Sequence, residues 1–153
     1  MLHELLKIKK IRETSAHNAL LKQKRLLEEA QQMQKDKEQE LEDYIEWRCK
    51  EEHILYDNIL NTDVKQHDLD FLKKKVAALR ENDVALEQAV EEAKSRVIDV
   101  EQELELAEER YRKARQAVEK FEEFTKVLDE EAAKEVQRLE DIEMEEFTVR
   151  PNR

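Results

Sequence analysis

Residues 86–107 read LEQAVEEAKSRVIDVEQELELA. Stepping alternately by four and three residues visits Leu86, Val90, Ala93, Val97, Val100, Leu104 and Ala107, all apolar. The same stepping runs back through Asp83, Leu79, Val76 and Leu72 to Leu69. It runs forward through Tyr111, Ala114, Val118, Phe121, Thr125, Leu128, Ala132, Glu135 and Leu139 to Ile142. Of these 22 positions only Asp83, Thr125 and Glu135 are not apolar. A sustained 3.5-residue repeat keeps one narrow seam facing a partner helix, which is the pattern of a left-handed coiled coil. A disordered polyampholyte has no reason to hold such a register. The other faces carry helically spaced opposite charges, such as Glu109 with Lys113, Glu108 with Arg112 and Glu130 with Lys134. Each such pair adds a few tenths of a kcal/mol, roughly, to a helix.

The first 60 residues are also helical but less regular. One heptad line reads Leu5, Arg12, Ala19, Leu26, Met33, Glu40, Trp47, Ile54, and a neighbouring line reads Leu6, Glu13, Leu20, Leu27, Gln34, Leu41, Arg48, Leu55. The apolar face is therefore broad and interrupted, at Gln34, Lys37, Glu40, Arg48 and Glu51, yet no Gly or Pro breaks it.

Composition removes most enzyme classes. The 153 residues include no glycine and a single proline, Pro151. Without Gly there is no phosphate-cradling loop, no dinucleotide-binding turn and no nucleophile elbow. Charged residues make up 44% of the chain, against roughly 25% in ordinary domains. This fits long solvated helices rather than a fold with many tight turns.

Between the two helical halves lies Asn61–Asp68, in which Asn61, Asp63 and Asp68 suit a turn or a helix N-cap. The reading is an all-α, antiparallel two-helix coiled-coil hairpin forming one elongated domain over residues 1–153. Its first helix covers about 2–60, its tip about 61–68 and its second helix about 69–146, before a frayed tail at 147–153. The arms would be roughly 90 and 115 Å long. The alternative is a generic homodimeric spacer or scaffold in which one helix runs straight through the tip, because Leu55, Thr62 and Leu69 lie seven apart.

Charge favours the hairpin and a monomer. Residues 1–27 carry a net +5, and residues 119–131 carry a net −4. Folding back near residue 65 brings them side by side, leaving residues beyond about 130 overhanging the first arm. The same fold-back sets Asp83, a charge in the seam, near the level of Arg48, so the two are expected to pair and set the register.

Other sites are sparse. No apolar run suggests a signal peptide or a membrane-inserted helix, and the single cysteine, Cys49, reads as a helix-surface residue in a reducing compartment. His3, His17, His53 and His67 are scattered. His3-Glu4-Leu5-Leu6-Lys7 lacks the second histidine of a zinc-protease motif. Acidic pairs such as Glu51-Glu52 and Glu145-Glu146 read as solvated faces. No metal, cofactor or catalytic residue is expected, and a net charge of −11 argues against nucleic acid as a partner. Tyr44, Trp47, Arg48, Tyr56 and Phe71 do gather the residue types of protein–protein hot spots toward the tip. Trp47 and Tyr56 cannot both share a seam with Tyr44 and Leu55, so an outward aromatic is expected there.

Tyr44-Ile-Glu-Trp47-Arg48-Cys-Lys-Glu51-Glu52-His-Ile-Leu55-Tyr56-Asp57, followed by Asp68-Leu69 and Leu79-Arg80-Glu81, resembles the YscO family of type III secretion proteins. That family is in turn similar to the flagellar protein FliJ and to the coiled-coil stalk of rotary ATPases. The resemblance implies a non-enzymatic component in the bacterial cytoplasm, peripheral to the inner-membrane export apparatus; secretion of the chain itself stays open. Its paired helix ends would enter the hexameric export ATPase, with Lys7, Lys9, Lys10 and Arg12 on the ring. Tyr44, Trp47, Arg48, Glu51 and Leu55 would meet the export gate's cytoplasmic domain or a chaperone. Family members are also linked to escort of unladen secretion chaperones and to the needle-length ruler protein.

Overall fold

A computed structural model describes residues 1–61 and 63–149. They form two helices, α1 (Leu2–Leu60) and α2 (Gln66–Val149), packed antiparallel as a two-helix coiled-coil hairpin. The continuous helix of the homodimeric alternative is thereby replaced by a reversal within one chain. Asn61 is a turn residue, residues 63–65 are non-helical, and Thr62 lies outside the described residues.

The second helix starts three residues before the regular register. Lys65, not Asp68, holds the cap position: its carbonyl accepts hydrogen bonds from the N–H groups of Asp68 (3.0 Å) and Leu69 (3.3 Å). The Asp68 carboxylate accepts in return from the Lys65 N–H at 3.3 Å. This is the reach-back half of a capping box, and it puts a negative charge in the first turn, where the helix dipole favours it. Helix α2 persists through Val149, so residues 147–149 are helical. The rest of the expected frayed tail lies outside the described residues.

The chain divides into two compact units, one of residues 21–105 and one of residues 1–20 with residues 106 onward. In the first, the α2 seam from Leu72 to Leu104 is buried or half-buried at every position, including Asp83. Its centre is a cluster of Ala30, Val97 and Val100 with Leu26 and Leu27, and Val100 is fully buried.

In the second unit, Ala107, Tyr111, Ala114, Val118, Phe121 and Thr125 are covered by the first 20 residues of α1. Cover then ends. From Leu128 every residue of α2 whose exposure is described lies open to solvent. At this end His3 Nε2 lies 3.5 Å from Asp129 Oδ1, and α2 runs on past it as the overhang expected beyond about residue 130.

The inward face of α1 follows one of the two heptad lines. Leu6, Glu13, Leu20, Leu27, Gln34, Leu41, Arg48 and Leu55 are all buried or half-buried. The other line faces out: Leu5, Met33, Trp47 and Ile54 are exposed, and only Leu26 on it is partly covered.

Candidate partner-binding surfaces

Within residues 21–105, the motif around Trp47 is built on a buried ionic network. Arg48 Nε lies 2.9 and 2.8 Å from the two carboxylate oxygens of Asp83, the pairing expected from their levels in the hairpin. Its Nη1 donates to Glu52 Oε1 at 3.1 Å. Glu52 also accepts from Arg80, through Nε at 3.2 Å and Nη2 at 3.5 Å. The side chains of Arg48, Asp83 and Glu52 are 13%, 15% and 10% exposed, so these charges are withdrawn from bulk water. Burial pushes the Glu52 carboxyl up, but hydrogen bonds from Arg80 and Arg48 outweigh it and hold the group below its ordinary value. The reading of Glu51-Glu52 as a solvated face is corrected for Glu52: it is buried, because its 4-residue spacing from Arg48 places it in the same network.

One turn away, Tyr44 donates its hydroxyl to the Leu79 carbonyl at 2.7 Å. Tyr44 and Arg48 are thus both occupied in holding α1 against α2. Trp47 is not: it is half exposed, with its ring 5.6 Å from that of Tyr44 and tilted at 41°. Glu51 and Leu55 are half-buried beside the seam. Ile54, Tyr56, Leu60 and Phe71 are exposed toward the turn. The expected outward aromatic is therefore realised twice, at Trp47 and Tyr56. Sequence reasoning left Glu52 and Arg80 out of the candidate set; the spacing from Arg48 was the available signal for the first.

Within the other unit, the basic residues of α1 face the acidic stretch of α2. Lys10 Nζ lies 3.8 Å from Glu122, and Lys9 Nζ sits 5.5 Å from the centroid of the Phe121 ring. The His17 and Tyr111 rings meet at 5.2 Å, tilted by 46°. Lys7 and Arg12 are exposed. The four cations do not converge on one point; two lean across α2 and two face solvent. Cys49 is exposed on the surface of α1. Among the described residues no three His, Cys, Asp or Glu side chains come together to hold a metal. No described helix is long and apolar enough to cross a membrane.

Known proteins are similar to this chain in sequence and fold. The family model described as "Type III secretion protein YscO" matches residues 2–150. The chain is 29% identical over 131 residues to Yop proteins translocation protein O of Yersinia pseudotuberculosis serotype I (strain IP32953), covering 86% of this chain and 85% of that one. Its fold is similar to the crystal structure of type III secretion protein YscO from Vibrio parahaemolyticus, with a TM-score of 0.89 and 28% identity. That match covers 96% of this chain and 92% of the other.

Proposed function

This chain belongs to the YscO family of type III secretion proteins, and from that premise we propose that it is a non-enzymatic stalk linking the export ATPase to the export gate. A secretion component works through contacts with other proteins of the apparatus, and the surfaces it presents suggest a division of labour. The observation that carries the reading is the half-exposed Trp47 beside a buried ionic network. A tryptophan with no core role, held in place by a locked register, has the character of an interface anchor. Trp47 makes the contact to the gate's cytoplasmic domain or to a chaperone being escorted. Glu51 and Leu55 border it, while Tyr44 and Arg48 position it from within.

Lys7, Lys9, Lys10 and Arg12 are assigned to the ATPase ring, with exposed Lys7 and Arg12 in the leading role. The protein would act in the bacterial cytoplasm, beside the membrane-embedded apparatus.

The test is isothermal titration of the full chain against the gate domain and, separately, the ATPase. Trp47→Ala should weaken gate binding at least tenfold with helicity and melting temperature unchanged. Lys7→Glu with Arg12→Glu should weaken only the ATPase contact. Normal gate binding by Trp47→Ala would remove Trp47 as the gate anchor, and normal ATPase binding by the double variant would remove the ring assignment.

A further inference from the structure

Past Thr125 the seam of α2 continues, and beyond Asp129, which His3 of α1 still reaches, it has no cover among the described residues. Leu128, Ala132, Leu139 and Ile142 keep the alternating spacing, and Leu128, Leu139 and Ile142 are 45%, 49% and 38% exposed. Val136 and Phe147, also exposed, widen the same stripe. This face is continuous with the seam that α1 already covers at Phe121 and Thr125. A second helix on the overhang would therefore meet the same ridge geometry that α1 meets one turn earlier.

Charge indicates what kind of helix fits. Residues 128–147 carry nine carboxylates against Lys134 and Arg138, a net −7. Two of those acids, Glu135 and Glu146, stand on seam positions themselves. Arg138 holds Glu135 through hydrogen bonds of 3.1 and 2.6 Å, which keep its carboxyl below the ordinary value. The chain also supplies a template for the match. Where α1 covers this acidic helix it does so with a basic amphipathic segment: Leu2 and Leu6 turn inward, Lys10 reaches Glu122 and His3 reaches Asp129.

We propose that Leu128–Phe147 of α2 is a docking rail for a basic amphipathic α-helix of a partner protein. The incoming helix would be roughly 20 residues, about 30 Å, long. It would carry apolar residues at alternating three- and four-residue spacing, flanked by Lys or Arg. A second copy of the overhang is a poor occupant, since two segments of net −7 would face each other. These residues differ from Lys7, Lys9, Lys10 and Arg12 but belong to the α2 end that the resemblance places with them in the ATPase ring, so binding is tested on the chain free of that ring.

The experiment uses the full-length chain and a labelled synthetic 21-residue helix with Leu at seam positions and Lys flanking them, read by fluorescence anisotropy. A control peptide keeps the Leu residues and has Glu in place of Lys. The Lys peptide should bind at least tenfold tighter than the Glu peptide. Leu139→Glu combined with Ile142→Glu should weaken it at least tenfold, although the variant is more acidic and attraction by charge alone would tighten it. Leu139→Gln, which adds no charge, should act in the same direction by a smaller factor and guards against loss of helix in the double variant. Three results would overturn the proposal. They are that both variants bind as the parent does, that the two peptides bind equally, or that the chain sediments as a dimer that the double variant converts to monomer.

Discussion

Thr125 occupies a seam position in the unit formed by the first 20 residues and α2, and it is 7% exposed. Its hydroxyl is fully enclosed and has no hydrogen-bond partner among the described residues. In a helix a threonine hydroxyl can bond back to a carbonyl one turn earlier, as Thr148 does with Met144 at 3.0 Å, but Thr125 does not. An enclosed polar group without a partner costs about 1–3 kcal/mol. Thr125→Val replaces that hydroxyl with a methyl of similar shape and completes the apolar seam. The expected gain is about 1–2 kcal/mol, less than the full desolvation term because the local packing must readjust. For a chain of this size that raises the melting temperature by roughly 2–8 °C, measured by circular dichroism. Thr14→Val, at an exposed position of α1, is the control and should change stability by less than about 0.5 kcal/mol. If Thr125→Val leaves the melting temperature unchanged or lowers it, the hydroxyl has a partner in solution and the reasoning fails.

Val100→Ala, at the fully buried centre of the α1–α2 cluster, should cost about 2 kcal/mol in thermal or denaturant unfolding. A cost below about 0.5 kcal/mol would mean that the cluster is not tightly packed. Because the folded Glu52 carboxyl sits below its ordinary value of 4.5, the unfolded state binds its proton first as pH falls. The stability it provides is therefore complete above about 4.5 and is lost as pH drops through the lower, folded value. Melting curves from pH 7 to pH 3 should show this acid-side loss and should flatten in Glu52→Gln; identical pH profiles would contradict the assignment. A double-mutant cycle of Arg48→Ala and Asp83→Ala should be strongly non-additive. Equal cost of Asp83→Ala with and without Arg48 would mean that the pair is not coupled.

The seam of α2 is legible in the sequence because apolar residues fill it almost without exception. That of α1 is equally regular in space but hidden in composition. Lys9, Glu13, Gln34, Lys37 and Glu51 all lie on its half-buried face. Long polar side chains can lay their stems along a neighbouring helix and keep their heads in water, so hydrophobicity alone underestimates this face. Meanwhile Leu5, Met33, Trp47 and Ile54 form a competing apolar line that stays exposed outside the seam. Arg48 and Asp83 could be matched in advance because each breaks its own seam at corresponding distances from the turn. Glu52 and Arg80 could not, since their meeting depends on side-chain direction across the pair. Helix α2 starts ahead of its regular register at a point the sequence does not mark, because Lys65 is not a favoured capping residue and Asp68 supplies the cap from three positions further on.

The ionic network has a consequence for register that an apolar seam could not produce. A heptad repeat fits its partner almost as well after a slip of seven residues, which is about 10 Å along the axis. In this hairpin such a slip would move Arg48 from Asp83 to the level of Val76 or Val90. A guanidinium enclosed against valine, with Asp83 left alone elsewhere, is heavily penalised, so the network discriminates between registers that the leucines and valines barely distinguish. Arg48→Leu with Asp83→Leu should therefore keep the helix content and lose the single register. Spin labels at Met33→Cys and Ile98→Cys, both exposed positions, report this in a Cys49→Ser background. Met33 and Ile98 lie at one level of the pair, fifteen residues from Arg48 and Asp83 respectively. The parent should give one narrow distance, and the double-leucine variant should add populations longer by a few ångströms, because an axial slip of about 10 Å adds in quadrature to the cross-helix separation. A single unchanged distance in that variant would mean that the turn and the apolar seam set the register unaided, and that Arg48 and Asp83 are retained for something other than alignment.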